Sequence, residues 1–302
     1  MDEFISHRLI MDDGVAITAY ERPGRDSALP PVVLSNGLGG DLQTWTRIIE
    51  GFPREQRLVS WDYRGLYASS LQGAQRDTVR LDVAMHATDC VAILEHLGID
   101  KALFVGWSMG VQLNWEVYRR EADRFLGIVA ISGGFGGLLS VTMGGAKAEP
   151  LLRPGFTLFG QVATHLGPTI ARHTDAFMRG AQFARLLHPD VDPVIFSRLM
   201  KVYVQLDFDI YIRILHGLGE HDVTGVLPQV TCPALVVVGS RDPITPPSVS
   251  REMDRALQRS ELLVIPKGTH YLPMEFPDIL NARIQQFTSQ IAGYHRPPLR
   301  AV

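Results

Sequence analysis

Ala102-Leu-Phe-Val-Gly-Trp-Ser-Met-Gly-Val111 opens as a short apolar run and closes on Gly106-Trp107-Ser108-Met109-Gly110, a pentapeptide of the form G-x-S-x-G. The run predicts a strand ending at Gly106, and the stretch from Val111 to Arg120 predicts a helix that begins directly afterwards. A strand turned so abruptly into a helix strains the serine backbone and pushes its hydroxyl clear of the sheet. Side chains at 106 or 110 would crowd that turn, and glycine at both positions relieves it. An ordinary Gly-Ser turn also fits the five letters, but lacks the strand before and the helix after.

The same alternation extends to both sides. Pro31-Val-Val-Leu-Ser35, Arg57-Leu-Val-Ser-Trp61 and Gly127-Ile-Val-Ala-Ile131 are short, β-branched and bounded by Gly or Pro, as strands buried on both faces should be. Pro233-Ala-Leu-Val-Val-Val-Gly239 and Glu261-Leu-Leu-Val-Ile265 repeat the pattern, and 277–291 reads as a final helix. Between Thr78 and Leu97, the residues Ala87, Cys90, Val91, Leu94 and Leu97 recur at helical spacing opposite Asp82, His86, Asp89 and His96, with Gly98 as the stop. At the amino end, Asp13-Gly14 between two alternating runs predicts a two-residue hairpin. The fold class is therefore α/β: a mostly parallel sheet with helices on both faces. Residues 134–226 break the alternation with Leu, Phe and Met in helix-like segments. They predict a helical cap inserted into a core made of residues 1–133 and 227–302. The tail from His295 reads as frayed.

Composition narrows the functional classes. With 29 basic and 32 acidic residues among 302, the formal charge is −3, which offers no footprint for nucleic acid or an anionic bilayer. No run approaches the roughly 18 apolar residues of a membrane span, and the acidic start has no signal-peptide pattern. A cytoplasmic protein without integral membrane association is expected. Cys90 and Cys232 lie outside metal-site spacings and read as buried free thiols.

A serine hydroxyl needs a positioned base, and the base needs a group that fixes its tautomer. Gly239-Ser-Arg-Asp242-Pro-Ile-Thr-Pro-Pro247 puts an acid just beyond one strand, and Gly268-Thr-His270-Tyr-Leu-Pro273 puts a histidine just beyond the next. Ser108, Asp242 and His270 should then converge at the carboxyl edge of the sheet, where open α/β sheets bind ligands. Asp-Pro also forms turns, and most of the ten histidines must be structural. The pairing across successive strand ends singles out these two, since Ile131-Ser-Gly-Gly offers no rival acid. Backbone donors for a developing oxyanion are expected from Met109 and from Leu38, within Ser35-Asn-Gly-Leu-Gly-Gly40, where Gly37 and Gly39 permit close approach.

Taken together, the elbow, the glycine loop, Trp61-Asp-Tyr-Arg-Gly65 and the acid and histidine loops resemble the α/β-hydrolase superfamily over nearly the whole chain. The glycine loop is similar to that of its enol-lactonase and small-esterase branch. The resemblance implies hydrolysis of an ester or lactone through an acyl-enzyme, with a small-molecule substrate and water as partners and no cofactor. A carbon–carbon bond hydrolase, a cofactor-free perhydrolase or haloperoxidase-like enzyme, and a non-catalytic binding protein on the same scaffold are the alternatives. Asn36 stands where relatives commonly carry histidine, and Leu66-Tyr67-Ala68 where they usually carry His-Gly-x. Gly134 begins a G-x-G-x-x-G pattern that fails at Leu139, and His216, Glu220 and His221 lack the H-E-x-x-H spacing, so neither a nucleotide nor a metal is expected. Trp107, Phe135 and Tyr271 are candidate substrate contacts. Apolar residues of the insertion, among them Leu151, Phe156, Phe159, Phe177, Met178, Phe183, Leu186 and Leu187, are candidates for a lid packed above Ser108.

Overall fold

The computed structural model describes residues 3–26, 28–71, 75–136 and 173–291. Eight strands form one sheet: β1 (Ile5–Ile10), β2 (Ala16–Arg22), β3 (Val32–Ser35), β4 (Leu58–Trp61), β5 (Ala102–Trp107), β6 (Phe125–Ile131), β7 (Ala234–Gly239) and β8 (Ser260–Ile265). Their order is β1-β2-β4-β3-β5-β6-β7-β8. β2 runs antiparallel to both neighbours and the other pairs are parallel. Helices α1 (Val83–His96), α2 (Met109–Glu121), α6 (Pro247–Ala256) and α7 (Pro277–Gln290) belong to the core, and α3 (Thr174–Phe183), α4 (Pro193–Tyr203) and α5 (Phe208–Glu220) lie between β6 and β7.

Alternation along the strands sends neighbouring side chains to opposite faces. Phe104 joins Cys90, Ile93, Val111, Trp115 and Met253 on the face covered by α1, α2 and α6. Leu103 and Val105 join Trp45, Ile48, Leu280, Ile284 and Phe287 on the other, beneath α7. Both faces of β3 to β7 are dry, which is why their sequences read as unbroken apolar runs, whereas the edge strand β8 is half-buried with Glu261 exposed. The predicted parallel strands and the final helix fall within a residue or two of the observed ones.

Three expectations need correction. The β1–β2 connection is a three-residue loop: Met11 N–H donates to Val15 O, Gly14 N–H donates to Met11 O, both at 2.8 Å, and Gly14 takes φ +80°. Helix α1 starts at Val83, five residues later than predicted, because the Asp82 carboxylate accepts from Met85 N–H at 2.9 Å and caps the helix there. His86 and Asp89, assigned to the polar face of that helix, are buried. Their partners come from distant sequence. Asp89 receives Nε and Nη2 of Arg64 at 2.9 and 2.6 Å, and His86 packs on Tyr63 with ring centroids 5.3 Å apart. Burial drives the His86 pKa down to about 3, which keeps the ring neutral. Of the two thiols, Cys90 is buried and Cys232 only partly so; both are free.

Arg64 and Asp89 are each 1% exposed, and Asp13 adds a second carboxylate to the same guanidinium. Arg64→Met strands a buried carboxylate, and a loss of about 3–5 kcal/mol is expected in urea unfolding. Adding Asp89→Leu should restore part of that loss, because the unpaired charge goes with it.

Candidate active site

Ser108 sits at φ 56°, ψ −118°, between the end of β5 and the start of α2. Its N–H donates to Ile131 O at 2.9 Å, and its carbonyl accepts from Val111 N–H at 3.0 Å. Non-glycine backbone in the left-handed region costs on the order of 1–3 kcal/mol and persists only where surroundings fix it. Close backbone approach supplies that fixing: a Cβ on Gly110 would lie 2.1 Å from Ser35 O, and one on Gly106 would lie 2.6 Å from Gly110 O. Both predicted glycine requirements are thus steric.

From Ser108 Oγ a hydrogen bond of 2.9 Å reaches His270 Nε2. His270 Nδ1 lies 2.9 and 3.1 Å from the two oxygens of Asp242. Asp242 and His270 are 3% and 4% exposed. Asp242 also accepts from the backbone N–H of Ile244 and Thr245 and from Thr245 Oγ1, each at 2.9 Å. Burial pulls its pKa upward, but the His270 ring and the Thr245 donors outweigh burial and hold the carboxyl below its ordinary value. The histidine loop is tied down by Trp107 Nε1, which donates to His270 O at 2.8 Å, and by Glu275, which accepts from Thr269 N–H at 2.8 Å and from the Thr269 hydroxyl.

The glycine loop after β3 forms a turn in which Gly40 N–H donates to Gly37 O at 2.9 Å, with Gly39 at φ +78°. Asn36 anchors it. Its side chain donates to Trp61 O at 2.8 Å and accepts from Trp45 Nε1 at 2.6 Å, and its carbonyl accepts from the Tyr63 hydroxyl at 2.6 Å. Gly37 lies flat against the Trp107 ring, which a Cβ there would approach to 2.7 Å. Met109 is the first residue of α2, so its N–H is among the donors that a helix leaves unpaired at its start.

These parts surround a cavity of about 270 Å³ lined by Gly37, Leu38, Gly39, Gly40, Trp107, Ser108, His270 and Tyr271 from the core and by Phe177, Leu199, Met200, Tyr203, Tyr211, Leu215 and Leu218 from α3, α4 and α5. Trp107 and Tyr271, the candidate substrate contacts, both line this space. Phe135 does not line this space: it is buried among core residues, and its carbonyl accepts from Val223 N–H at 2.8 Å. Phe177 faces the cavity, Leu187 is buried, Met178 packs on the core, and Leu186 and Phe183 point outward, Phe183 being 93% exposed. Leu151, Phe156 and Phe159 lie outside the described residues. Sequence reading missed the Tyr203, Tyr211 and Leu218 wall. The signals were there: Asp192 and Asp207 cap α4 and α5 through their side chains, and Leu199-Met200-Tyr203 and Tyr211-Leu215-Leu218 follow helical spacing. His221 turned out to be structural, with Gln112 on Nδ1 at 3.0 Å and Glu116 on Nε2 at 3.2 Å.

A serine on a strand-to-helix turn after β5, facing an acid and a histidine from just beyond β7 and β8 of a mostly parallel sheet, defines a class of α/β architecture. Residues 30–277 match the model of the alpha/beta hydrolase fold family, and the chain belongs to that family. It is 25% identical over 256 residues to the 3-oxoadipate enol-lactonase 2 of Acinetobacter baylyi, covering 85% of this chain and 87% of that protein. It is 23% identical to the pimeloyl-[acyl-carrier protein] methyl ester esterase of Vibrio vulnificus, covering 80% and 87%. The solved structure of a thermophilic esterase from Thermogutta terrifontis superposes with a TM-score of 0.71 at 22% identity, covering 95% of this chain and 99% of that one, a likeness of fold.

The segment that braces the glycine loop carries one more buried acid. Asp62 Oδ2 accepts from the Tyr20 hydroxyl at 2.7 Å and from Ala68 N–H at 3.0 Å, yet burial outweighs these bonds and pushes its pKa up to about 6. Between pH ~4 and ~6 the folded chain keeps a proton that the unfolded chain has released, so this group's contribution to stability falls as pH rises through that window and stays low above it. Asp62→Asn keeps an oxygen for both donors without the buried charge. It should be more stable than wild type by on the order of 3 kcal/mol at pH 7.5, with the gain vanishing below pH ~4, as read by denaturant titration at both pH values.

Proposed function

We propose that the protein is a serine hydrolase that cleaves carboxylic esters, linear or closed into lactones, of compact and largely apolar substrates. The observation that carries this reading is the unbroken relay from Ser108 Oγ through His270 to Asp242, opening onto an apolar cavity. His270 removes the Ser108 proton as the oxygen attacks the acyl carbonyl, then delivers that proton to the leaving alkoxide. The Leu38 and Met109 N–H groups hold the oxyanion. The same imidazole next draws a proton from water, whose oxygen attacks the acyl-enzyme, and returns it to Ser108 Oγ as the carboxylic acid leaves. Asp242, held below its ordinary pKa, stays ionised and stabilises the imidazolium.

Substrate class follows from the wall. Among the described residues lining the cavity there is no lysine, arginine or carboxylate, and burying an unpaired charge there is costly. The cavity, about 270 Å³, falls just below the usual range for small-molecule sites. Residues 134–226 act as the cap in this reading, since α3, α4 and α5 supply the roof above Ser108.

Ser108→Ala should abolish covalent labelling by a fluorophosphonate and lower ester hydrolysis by a factor of about 10⁴ or more, with unfolding unchanged. Hydrolysis persisting near the wild-type rate would defeat the assignment. Across a panel of p-nitrophenyl esters, kcat/KM for butyrate should exceed that for a hemisuccinate of similar size by about tenfold or more. A preference for the charged acyl group would overturn the cavity argument.

A further inference from the structure

Tyr67 holds its backbone at φ 49°, a region that glycine occupies freely and a bulky side chain seldom does. The turn around it fixes this conformation. Leu66 N–H donates to Tyr63 O at 2.8 Å, Gly65 N–H to Ser69 O at 2.9 Å, and Ser69 N–H to Leu66 O at 2.9 Å, while Ala68 N–H is held by Asp62 at 3.0 Å. The result is that the ring is thrown across to the glycine loop, where its hydroxyl donates to Gly39 O.

Bond connectivity gives that contact a direction. Gly39 C=O and Gly40 N–H belong to one peptide unit, and Gly40 N–H donates to Gly37 O at 2.9 Å. Gly37 C=O and Leu38 N–H belong to another. A donor on the Gly39 oxygen polarises the first amide, which strengthens its N–H as a donor to the second amide, and so strengthens Leu38 N–H. The same two bonds also fix both peptide planes, since rotation of the Gly39–Gly40 unit would break them together. The Tyr203 ring also packs closely on Gly39, where a Cβ would come within 2.6 Å of it.

We propose that Tyr67 is a positioning residue for ester hydrolysis, its hydroxyl starting a hydrogen-bonded relay through Gly39–Gly40 and Gly37–Leu38 that aims and strengthens the Leu38 N–H toward the oxyanion. The assignment rests on the Ser108 hydrolase reading. A merely structural tyrosine would alter stability and substrate binding together; a residue acting on the oxyanion donor alters the transition state alone.

The test compares wild type, Tyr67→Phe and Ser108→Ala in the full chain. For Tyr67→Phe, kcat on the butyrate ester should fall about tenfold or more, with KM within about twofold. Affinity for a butyryl-type trifluoromethyl ketone, which forms a tetrahedral adduct with an oxyanion, should fall in parallel, while inhibition by the matching secondary alcohol and the urea midpoint stay put. Unchanged kcat, or equal weakening of ketone and alcohol, overturns the role of Tyr67 and leaves the Ser108 reading standing. A wild type that neither labels with fluorophosphonate nor hydrolyses esters overturns the Ser108 reading, and this proposal with it.

Discussion

The site depends on how closely β3, β5 and the start of α2 approach one another around Ser108. Gly110 lies flush against the Ser35 carbonyl, and Gly133, just past β6, lies against Val111, where a Cβ would come within 2.4 Å. In that confinement the serine is held at positive φ, with its side chain turned toward His270. The strain is local, whereas the packing that offsets it is the dry core on both sheet faces. The geometry at Ser108 is thus tied to the buried core on both sides of the sheet.

Placement of His270 follows from the same elbow. Trp107, one residue before the serine, turns its indole N–H to the His270 carbonyl, so one short segment sets both ends of the Ser108–His270 bond. The acid and histidine loops are packed backbone to backbone: Arg241 N–H donates to Gly268 O at 2.9 Å, and a Cβ on Gly239 would lie 2.3 Å from that oxygen. Glu275 then joins the histidine loop to the segment before α4, since it accepts from Thr269 and also from His188 N–H at 3.0 Å. A single buried carboxylate therefore ties the His270 loop to the polypeptide that roofs the cavity.

What was legible in the sequence was what local pattern decides. Strands with two buried faces declare themselves as apolar runs bounded by Gly or Pro, and the serine, acid and histidine announce themselves by standing just past strand ends. What pattern cannot carry is a partner far along the chain. His86 and Asp89 read as a polar helix face because nothing near them shows that Arg64 and Tyr63 fill the space opposite. Tyr203 and Tyr211 lie on amphipathic helices whose apolar stripes were readable, but only docking decides which stripe faces Ser108. At Tyr67 the departure from a small residue was visible as a turn feature, while its positive φ and its reach to Gly39 exist only in three dimensions.

Polar and apolar forces divide the work of holding α4 and α5 over the core. Ion pairs stand at the rim: Arg198 of α4 meets Asp41 at 2.7 Å, and Arg76 meets Asp207, the cap of α5, at 2.6 Å. Partly exposed pairs of this kind contribute little energy each, so cohesion must come from the apolar stripes, with the charges selecting one docking among several. Asp41 also caps the helical turn that follows the glycine loop, accepting from Gln43 N–H at 3.1 Å. The pair that registers the roof is therefore built on the residue next to Gly40. The roof and the glycine loop are thereby joined through one carboxylate at the cavity rim.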